Sequence, residues 1–316
     1  SKNESASRLK ILCMFYVAIL AFILGLPFAY TQIEVKKIEN KYPPQGLFKT
    51  IDNLKIHYTD IGSGQPVVLL HSQPANERQF DLLKDKLRQN YRVISIDRPG
   101  MGYSEGPKIN SSERLVIQAK VVSKLIREIT DMKPIVIGHS YGGALALSLA
   151  LHDQENLKKL VLVNTASHPW ESDNIWLPFK IITNPFIGKI FSNTYAMIYG
   201  KSVIDKSADD NFPNNTPTPG FANRVGAELT LRPKTLESYA LDAINLRSAL
   251  SEQYQNYKNL SLPVTILAGI GDRVTPNKIH SFQLHKDIKH SKLVEVKSVE
   301  HSIPELNPMI IIDEIE

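Results

Sequence analysis

An uncharged apolar run of 20 residues, Ile11–Tyr30, precedes a region in which short β-branched runs alternate with segments of helical periodicity. At 1.5 Å per residue the run is about 30 Å long, the thickness of a bilayer's hydrocarbon core. It exceeds the apolar core of a cleavable signal peptide, about 7–15 residues. Gly25 and Pro27 interrupt it, and the small residues Ala29 and Thr31 would suit a cut after Thr31. The length favours an uncleaved anchor, residues 11–30, over a cleaved signal or a core helix. Lys2, Arg8 and Lys10 precede the run, and Lys36, Lys37 and Lys41 follow it. The short basic N-terminus places itself on the cytoplasmic side and the rest of the chain outside. Residues 1–31 therefore read as a polar segment plus anchor. Residues 32–45, charged and ending in Pro43-Pro44, read as a linker, and 46–316 as the folded domain.

In that domain Leu47–Ile51 and Leu54–Asp60 flank Asp52-Asn53, the pattern of an antiparallel hairpin. Gly62-Ser63-Gly64 marks a turn. Strands are predicted at Val67–Leu70, Arg92–Asp97, Ile135–Gly138, Leu160–Asn164, Val264–Gly269 and Leu293–Lys297. Helices are predicted at Glu77–Arg88, Ser112–Thr130 (N-capped by Ser111 or Ser112), Tyr141–His152 and Asn277–Ile288. Such alternation implies an α/β fold with a mostly parallel sheet covered on both faces. Residues 168–250 break it. They contain no clear strand, only short apolar segments at Ile175–Ile182, Phe186–Ile190 and Thr194–Tyr199 and a loop at Asp210–Gly220. This is a helical insertion before the last two strands.

Composition narrows the function classes. The chain has 316 residues, enough for one large domain or two small ones, and a formal net charge of +5. The basic residues are scattered, which argues against nucleic-acid binding. Cys13 is the only cysteine, so an intrachain disulfide and a Cys-rich zinc framework are excluded.

The candidate chemistry lies at the junction of a strand and a helix. Gly138-His139-Ser140-Tyr141-Gly142 fits G-x-S-x-G between a β-branched run and an Ala/Leu-rich helix. That context makes it a nucleophile elbow, with Ser140 on a sharp turn and glycines where the backbone is crowded. A serine hydroxyl needs a base, and the base an orienting acid. Asp272, in the loop after one buried strand, and His301, after the last, follow Ser140 in the order Ser, Asp, His. Asp97, at another strand end, is the alternative acid. His152, His280, His285 and His290 fall on helices or their ends and read as surface residues, and His139 should point away from Ser140. The oxyanion donors expected are the backbone N–H of Tyr141 and that of Gln73, in the loop His71-Ser72-Gln73-Pro74.

HSQP (71–74), DRPGMGYS (97–104), GHSYGG (138–143), GDRVTP (271–276) and EHSIPELNP (300–308) together resemble the α/β-hydrolase fold family over residues 46–316. The resemblance is to its esterase, carbon–carbon hydrolase and haloperoxidase-like branch. It implies that 168–250 form a cap shaping the substrate pocket. Ser72 stands where the family usually has glycine, and Val299-Glu300 where small residues commonly precede the histidine. Ser140 separates the chain from the dehalogenases and epoxide hydrolases, which carry aspartate at the elbow. The resemblance implies a serine hydrolase without metal or organic cofactor. The apolar cap residues Trp170, Ile175, Trp176, Leu177, Phe179 and Phe186 suggest a small-molecule ester with an apolar moiety. Carbon–carbon, lactone or amide hydrolysis would use the same triad, and a non-catalytic ligand-binding role would keep only the fold.

Overall fold

The computed structural model describes residues 2–171, 175–209, 211–212 and 216–315. The elements in order are α1 (Lys2–Lys41), β1 (Leu47–Ile51), β2 (Leu54–Ile61), β3 (Pro66–Leu70), α2 (Asp81–Leu87), β4 (Arg92–Ile96), α3 (Glu113–Ile129), β5 (Ile135–His139), α4 (Tyr141–Asp153) and β6 (Lys159–Val163). The insertion holds α5 (Leu177–Ile182), α6 (Ile187–Asn193), α7 (Tyr195–Asp209), α8 (Phe221–Arg224) and α9 (Pro233–Gln253). The chain closes with β7 (Val264–Gly269), α10 (Ser281–Asp287), β8 (Lys292–Val296), α11 (Ile303–Leu306) and α12 (Pro308–Asp313).

One eight-stranded sheet has the order β1-β2-β4-β3-β5-β6-β7-β8. The β1–β2 hairpin turns at Asp52-Asn53, both with positive φ, and pairs antiparallel; β3 to β8 are parallel. Strand alternation divides the core. Val68, Leu70, Ile94, Val136, Leu160 and Ile266 face α3 and α4. Val67, Leu69, Val93, Ile137, Val161 and Leu267 face α2, α11 and α12. Because helices cover both faces, the central strands are apolar throughout rather than alternating. In α3, Leu115, Ala119, Val122 and Ile126 repeat at helical spacing and are buried.

Chain order reverses around β3, since β4 lies on one side of it and β5 on the other. The loops leaving β3 and β5 diverge there and open a crevice at the carboxyl ends of the strands, where ligands bind in open α/β sheets. Leu70 pairs with Gly138 at that edge. His71–Pro74 and Ser140 therefore start side by side. The insertion lies between β6 and β7, over the same edge, as expected. Of its loop 210–220, residues 210 and 213–215 lie outside the described residues, as do 172–174.

Residues 32–45 are not a linker. α1 continues through Gly25 and Pro27 to Lys41. Thr31, Glu34, Ile38 and Tyr42 recur on one helical face and are buried against the cap. Ile38 and Tyr42 pack with Met197, Leu229 and Leu231. Polar contacts reinforce this: Thr31 Oγ1 donates to Thr194 O (2.9 Å), Lys41 pairs with Glu228 (2.7 Å), and Glu34 bonds Lys201. Of the charges in this segment, Lys36, Lys37 and Lys41 are exposed, whereas Glu34 is buried on the docked face of the helix. Two predicted helices also begin differently. Glu77–Phe80 is a 3-10 turn leading into α2, and 277–280 form a turn before α10.

Candidate active site

Ser140 is the turn between β5 and α4, the N-cap of the helix, with φ 55° and ψ −115°, a strained backbone for a residue with a side chain. Backbone bonds fix it: Ser140 N–H donates to Val163 O (3.0 Å), and Ser140 O accepts from Gly143 (3.0 Å) and Ala166 (3.2 Å). The flanking glycines are required by close approach. A Cβ on Gly142 would lie 2.0 Å from Leu70 O, and one on Gly138 2.5 Å from Gly142 O.

Asp272 leaves β7 and His301 follows β8. The structure brings them together, with Asp272 Oδ2 2.8 Å from His301 Nδ1. The carboxylate also accepts from the Val274 and Thr275 amides, from Thr275 Oγ1 and from Asn164 Nδ2 (2.7 Å). Burial acts to raise the Asp272 pKa, but the hydrogen bonds from His301 and Thr275 outweigh it and hold the pKa at about 2. As an anion, Asp272 favours the tautomer of His301 that carries its proton on Nδ1, which leaves a lone pair on Nε2. The described hydrogen bonds of His301 join its Nδ1 to Asp272 and, at 3.4 Å, to Thr275 Oγ1, and its carbonyl accepts from His139. One from Ser140 Oγ to its ring is not among them; in unliganded sites that bond often tightens only with substrate.

Asp97, the alternative acid, pairs with a different histidine. It is buried and bonds His57 Nδ1 (2.7 Å) and the Glu77 and Tyr103 amides, which anchors the β1–β2 hairpin to the β4 loop.

His139 does point away from the hydroxyl, and it has work there. Its Nε2–H donates to His301 O (2.9 Å), and Nδ1 accepts from Gln79 (3.2 Å). The two rings lie 4.9 Å apart. The residue preceding the serine thus braces the loop that carries the histidine. Asn164, after β6, and Thr275 also support the site. Sequence reading missed all three, although Asn164 stands at a strand's carboxyl end, where functional loops begin.

The two amides expected as oxyanion donors follow the carboxyl ends of β3 and β5. Tyr141 N–H is the first amide of α4, and Gln73 N–H sits in the β3 loop; neither amide has a protein acceptor among the described residues. Gln73 Nε2 donates to Tyr239 O (2.8 Å), which ties this loop to cap helix α9. A second tie is ionic. Arg98 Nη1 reaches Asp242 Oδ2 of α9 (3.2 Å), while Arg98 Nε donates to His71 O (2.8 Å) and Nη2 to Ser72 O (3.2 Å). Arg114 Nε (2.6 Å) and Gln118 Nε2 (2.9 Å) complete the shell of Asp242. Tyr141 donates to Gln118, and the Arg98 guanidinium stacks 4.2 Å from the Tyr141 ring. Arg98, Arg114 and Asp242 are all essentially buried.

Beside Pro74, the cap carries an open cavity of about 470 Å³ lined by Trp176, Phe179, Phe191, Tyr199, Leu236 and Tyr239, among others, and not by Ser140, Asp272 or His301. Of the apolar cap residues expected to shape the pocket, Trp176 and Phe179 line this cavity. Ile175 packs inside the cap, Trp170 packs on the core, and Leu177 and Phe186 face outward.

Burial lowers the pKa of His71 and His139 to about 3 and that of His280 to about 4. His280, expected on the surface, accepts the Ser167 and His168 amides in the interior. Each ring stays neutral in the folded protein and would take up a proton near pH 6.5 once unfolded. Unfolding therefore binds protons below that pH. The stability contributed is complete above pH 6.5 and is lost as pH falls toward the folded pKa, at about 4 kcal/mol per pH unit for the three together. The melting temperature is expected to drop steeply between about pH 6 and 4, with a slope about one third smaller in a His139→Gln variant. A melting temperature flat across that range would contradict the assignment.

The family model for the alpha/beta hydrolase fold matches residues 65–308, from the start of β3 to α12. The chain belongs to the alpha/beta hydrolase fold family. Membership and relatives support a hydrolase. An uncharacterized hydrolase of Bacillus subtilis, YugF, is 25% identical over 279 residues, covering 84% of this chain and 94% of that protein. The esterase of Exiguobacterium antarcticum aligns with TM-score 0.64 and 24% identity over 86% of this α/β-hydrolase and 99% of the esterase. A membrane phospholipase A, described as a bacterial virulence factor, aligns with TM-score 0.64 and 18% identity over 98% of both chains. These structural likenesses are of fold. The last one extends beyond the catalytic domain to take in nearly the whole of this chain.

Proposed function

We propose that this α/β-hydrolase is a membrane-anchored serine hydrolase that cleaves carboxylic esters of apolar substrates. The observation that carries the reading is the 2.8 Å Asp272–His301 pair, braced through His139 against the strained elbow of Ser140. Ser140 Oγ attacks the ester carbonyl as His301 Nε2 takes its proton. The tetrahedral oxyanion meets the Tyr141 and Gln73 amides, each worth on the order of 3 kcal/mol of barrier. His301 protonates the departing alcohol. Water, activated by the same ring, then releases the acid from the acyl-enzyme. The apolar lining of the cavity under the cap supports an apolar acyl or alcohol group.

The helix α1 supports the anchor. Its segment 11–30 is uncharged and long enough to span, and its apolar side chains from Ile11 to Phe28 are largely exposed. Lys2, Arg8 and Lys10 ahead of the run support a cytoplasmic side there, with the catalytic domain on the extracytoplasmic side. A structural neighbour of similar extent being described as a membrane phospholipase A agrees with an apolar ester presented at a membrane.

The test is hydrolysis of p-nitrophenyl esters of increasing acyl length by the detergent-solubilised full chain, with labelling by a serine-reactive phosphonate. Hydrolysis with a chain-length optimum, and labelling at Ser140, are expected. A folded protein that neither hydrolyses these esters nor takes the label would overturn the reading.

A further inference from the structure

The stretch 175–204 contains three lysines and no acidic residue. It forms α5, α6 and the start of α7, and its large apolar side chains point outward to an unusual degree. Phe186 is 82% exposed, the highest value among the chain's described large apolar residues. Leu177, Ile187, Ile190 and Trp176 are also exposed. Lys180 and Lys189 stand exposed among them, in no ion pair among the described residues. Soluble surfaces rarely leave such a cluster uncovered. Apolar side chains rimmed by lysine are the composition of a surface that settles into the headgroup region of an anionic bilayer.

Position identifies the occupant. The α6–α7 junction touches α1 within its uncharged run. Tyr195 Oη donates to Ile23 O (2.9 Å), and Thr194 O accepts from Thr31 (2.9 Å). Ile23 lies seven residues, about 10 Å of helix, inside the end of that run. If the run through Tyr30 is in the bilayer, the cap segment packed beside Ile23 must enter the interface with it. A tyrosine at that level suits the boundary between lipid and water. The cavity opens on the same side, because Trp176 and Tyr199 line it and are also part of the exposed face.

We propose that this face of the cap, carried by Trp176, Leu177, Phe186, Ile187 and Ile190 with Lys180 and Lys189, is a second membrane contact. It rests the cavity mouth on an anionic bilayer, so that the enzyme takes acyl esters from the lipid phase rather than from water. The inference rests on the anchored ester-hydrolase reading, but one of its readouts needs no activity.

The full chain is reconstituted into phosphatidylcholine vesicles with and without phosphatidylglycerol. A Trp170→Phe background leaves Trp176 as the sole tryptophan of the chain's two. Fluorescence of Trp176 is expected to be quenched by doxyl-labelled lipid and little by iodide, more so with phosphatidylglycerol present. Quenching by iodide alone would show the face in water, and shielding from both would show it covered by protein, such as a second copy; either overturns the proposal. The double variant Phe186→Asp, Ile187→Asp changes two outward side chains that do not line the cavity. It is expected to hydrolyse p-nitrophenyl butyrate at the wild-type rate and a long-chain ester embedded in the vesicles about tenfold more slowly. Equal rates on both esters, or an equal loss on both, would overturn it. A wild-type chain inert on both esters would sink the ester reading instead, and the quenching alone would then decide the membrane contact.

Discussion

Ester hydrolysis is expected to fall on the order of 10⁴-fold or more when Ser140 is replaced by alanine, with folding intact. The magnitude follows from the chemistry. Without the hydroxyl no acyl-enzyme forms, and only the oxyanion donors and binding remain to assist water. The Asp272→Asn variant is expected to lose about as much by another route. An amide at that position offers a donor to His301 Nδ1, inverts the tautomer and aims a proton rather than a lone pair at Ser140. The two variants differ in labelling: Ser140→Ala takes no phosphonate, whereas Asp272→Asn takes it slowly at Ser140. Since the two act in one unit, the double variant should be scarcely worse than either alone. A Ser140→Ala protein as active as wild type would remove this serine from the mechanism.

The largest effect on stability is expected from Asp242→Ala. Arg98 and Arg114 are essentially buried, and Asp242 is the carboxylate that both engage. Removing it strands two guanidinium groups in the interior, a loss of about 3–5 kcal/mol. For a domain of this size that lowers the melting temperature by on the order of 10 °C. Activity is expected to fall in the folded fraction as well. Arg98 holds the His71 and Ser72 carbonyls, and those residues precede the Gln73 amide, the proposed oxyanion donor. Asp242→Asn, which keeps the shape and loses the charge, should be intermediate. Denaturant midpoints and melting curves on detergent-solubilised protein measure the first effect, and hydrolysis rates normalised to folded protein the second. A change in stability below about 1 kcal/mol would mean that water or a shifted side chain compensates the arginines.

The catalytic candidates were legible in the sequence because the fold fixes where they stand. Ser140, Asp272 and His301 lie one, three and five residues past the ends of β5, β7 and β8, and a parallel sheet gathers the carboxyl ends of its strands on one edge. Strand periodicity therefore placed the three loops together before any coordinates. Glycine spacing at 138 and 142 was readable for the same reason, since the crowding at the elbow is local to the turn. Asp97 shows the limit of this logic. It too ends a strand, but its strand lies beyond β3, and its lone pairs are taken by His57 and two amides from its own side of the sheet.

By itself, then, the sequence determined the α/β alternation, the position of the insertion, the uncharged run and the three residues at the strand ends, all properties of local pattern and chain order. Contacts across long separations were decided only in the tertiary structure. The Arg98–Asp242–Arg114 cluster joins residues up to 144 positions apart, and no pattern along the chain marks which aspartate two arginines will share. The bracing of His301 by His139 depends on two loops meeting. The segment after Thr31 looked like a linker because it is rich in charge and ends in Pro43-Pro44. It became a docked helix because Ile38 and Tyr42 meet Met197, Leu229 and Leu231 of the cap. Apolar cap residues were visible as a group, but which of them point inward was not. Phe179 faces the cavity and Phe186 the outside because short helices, not a single period, set their directions.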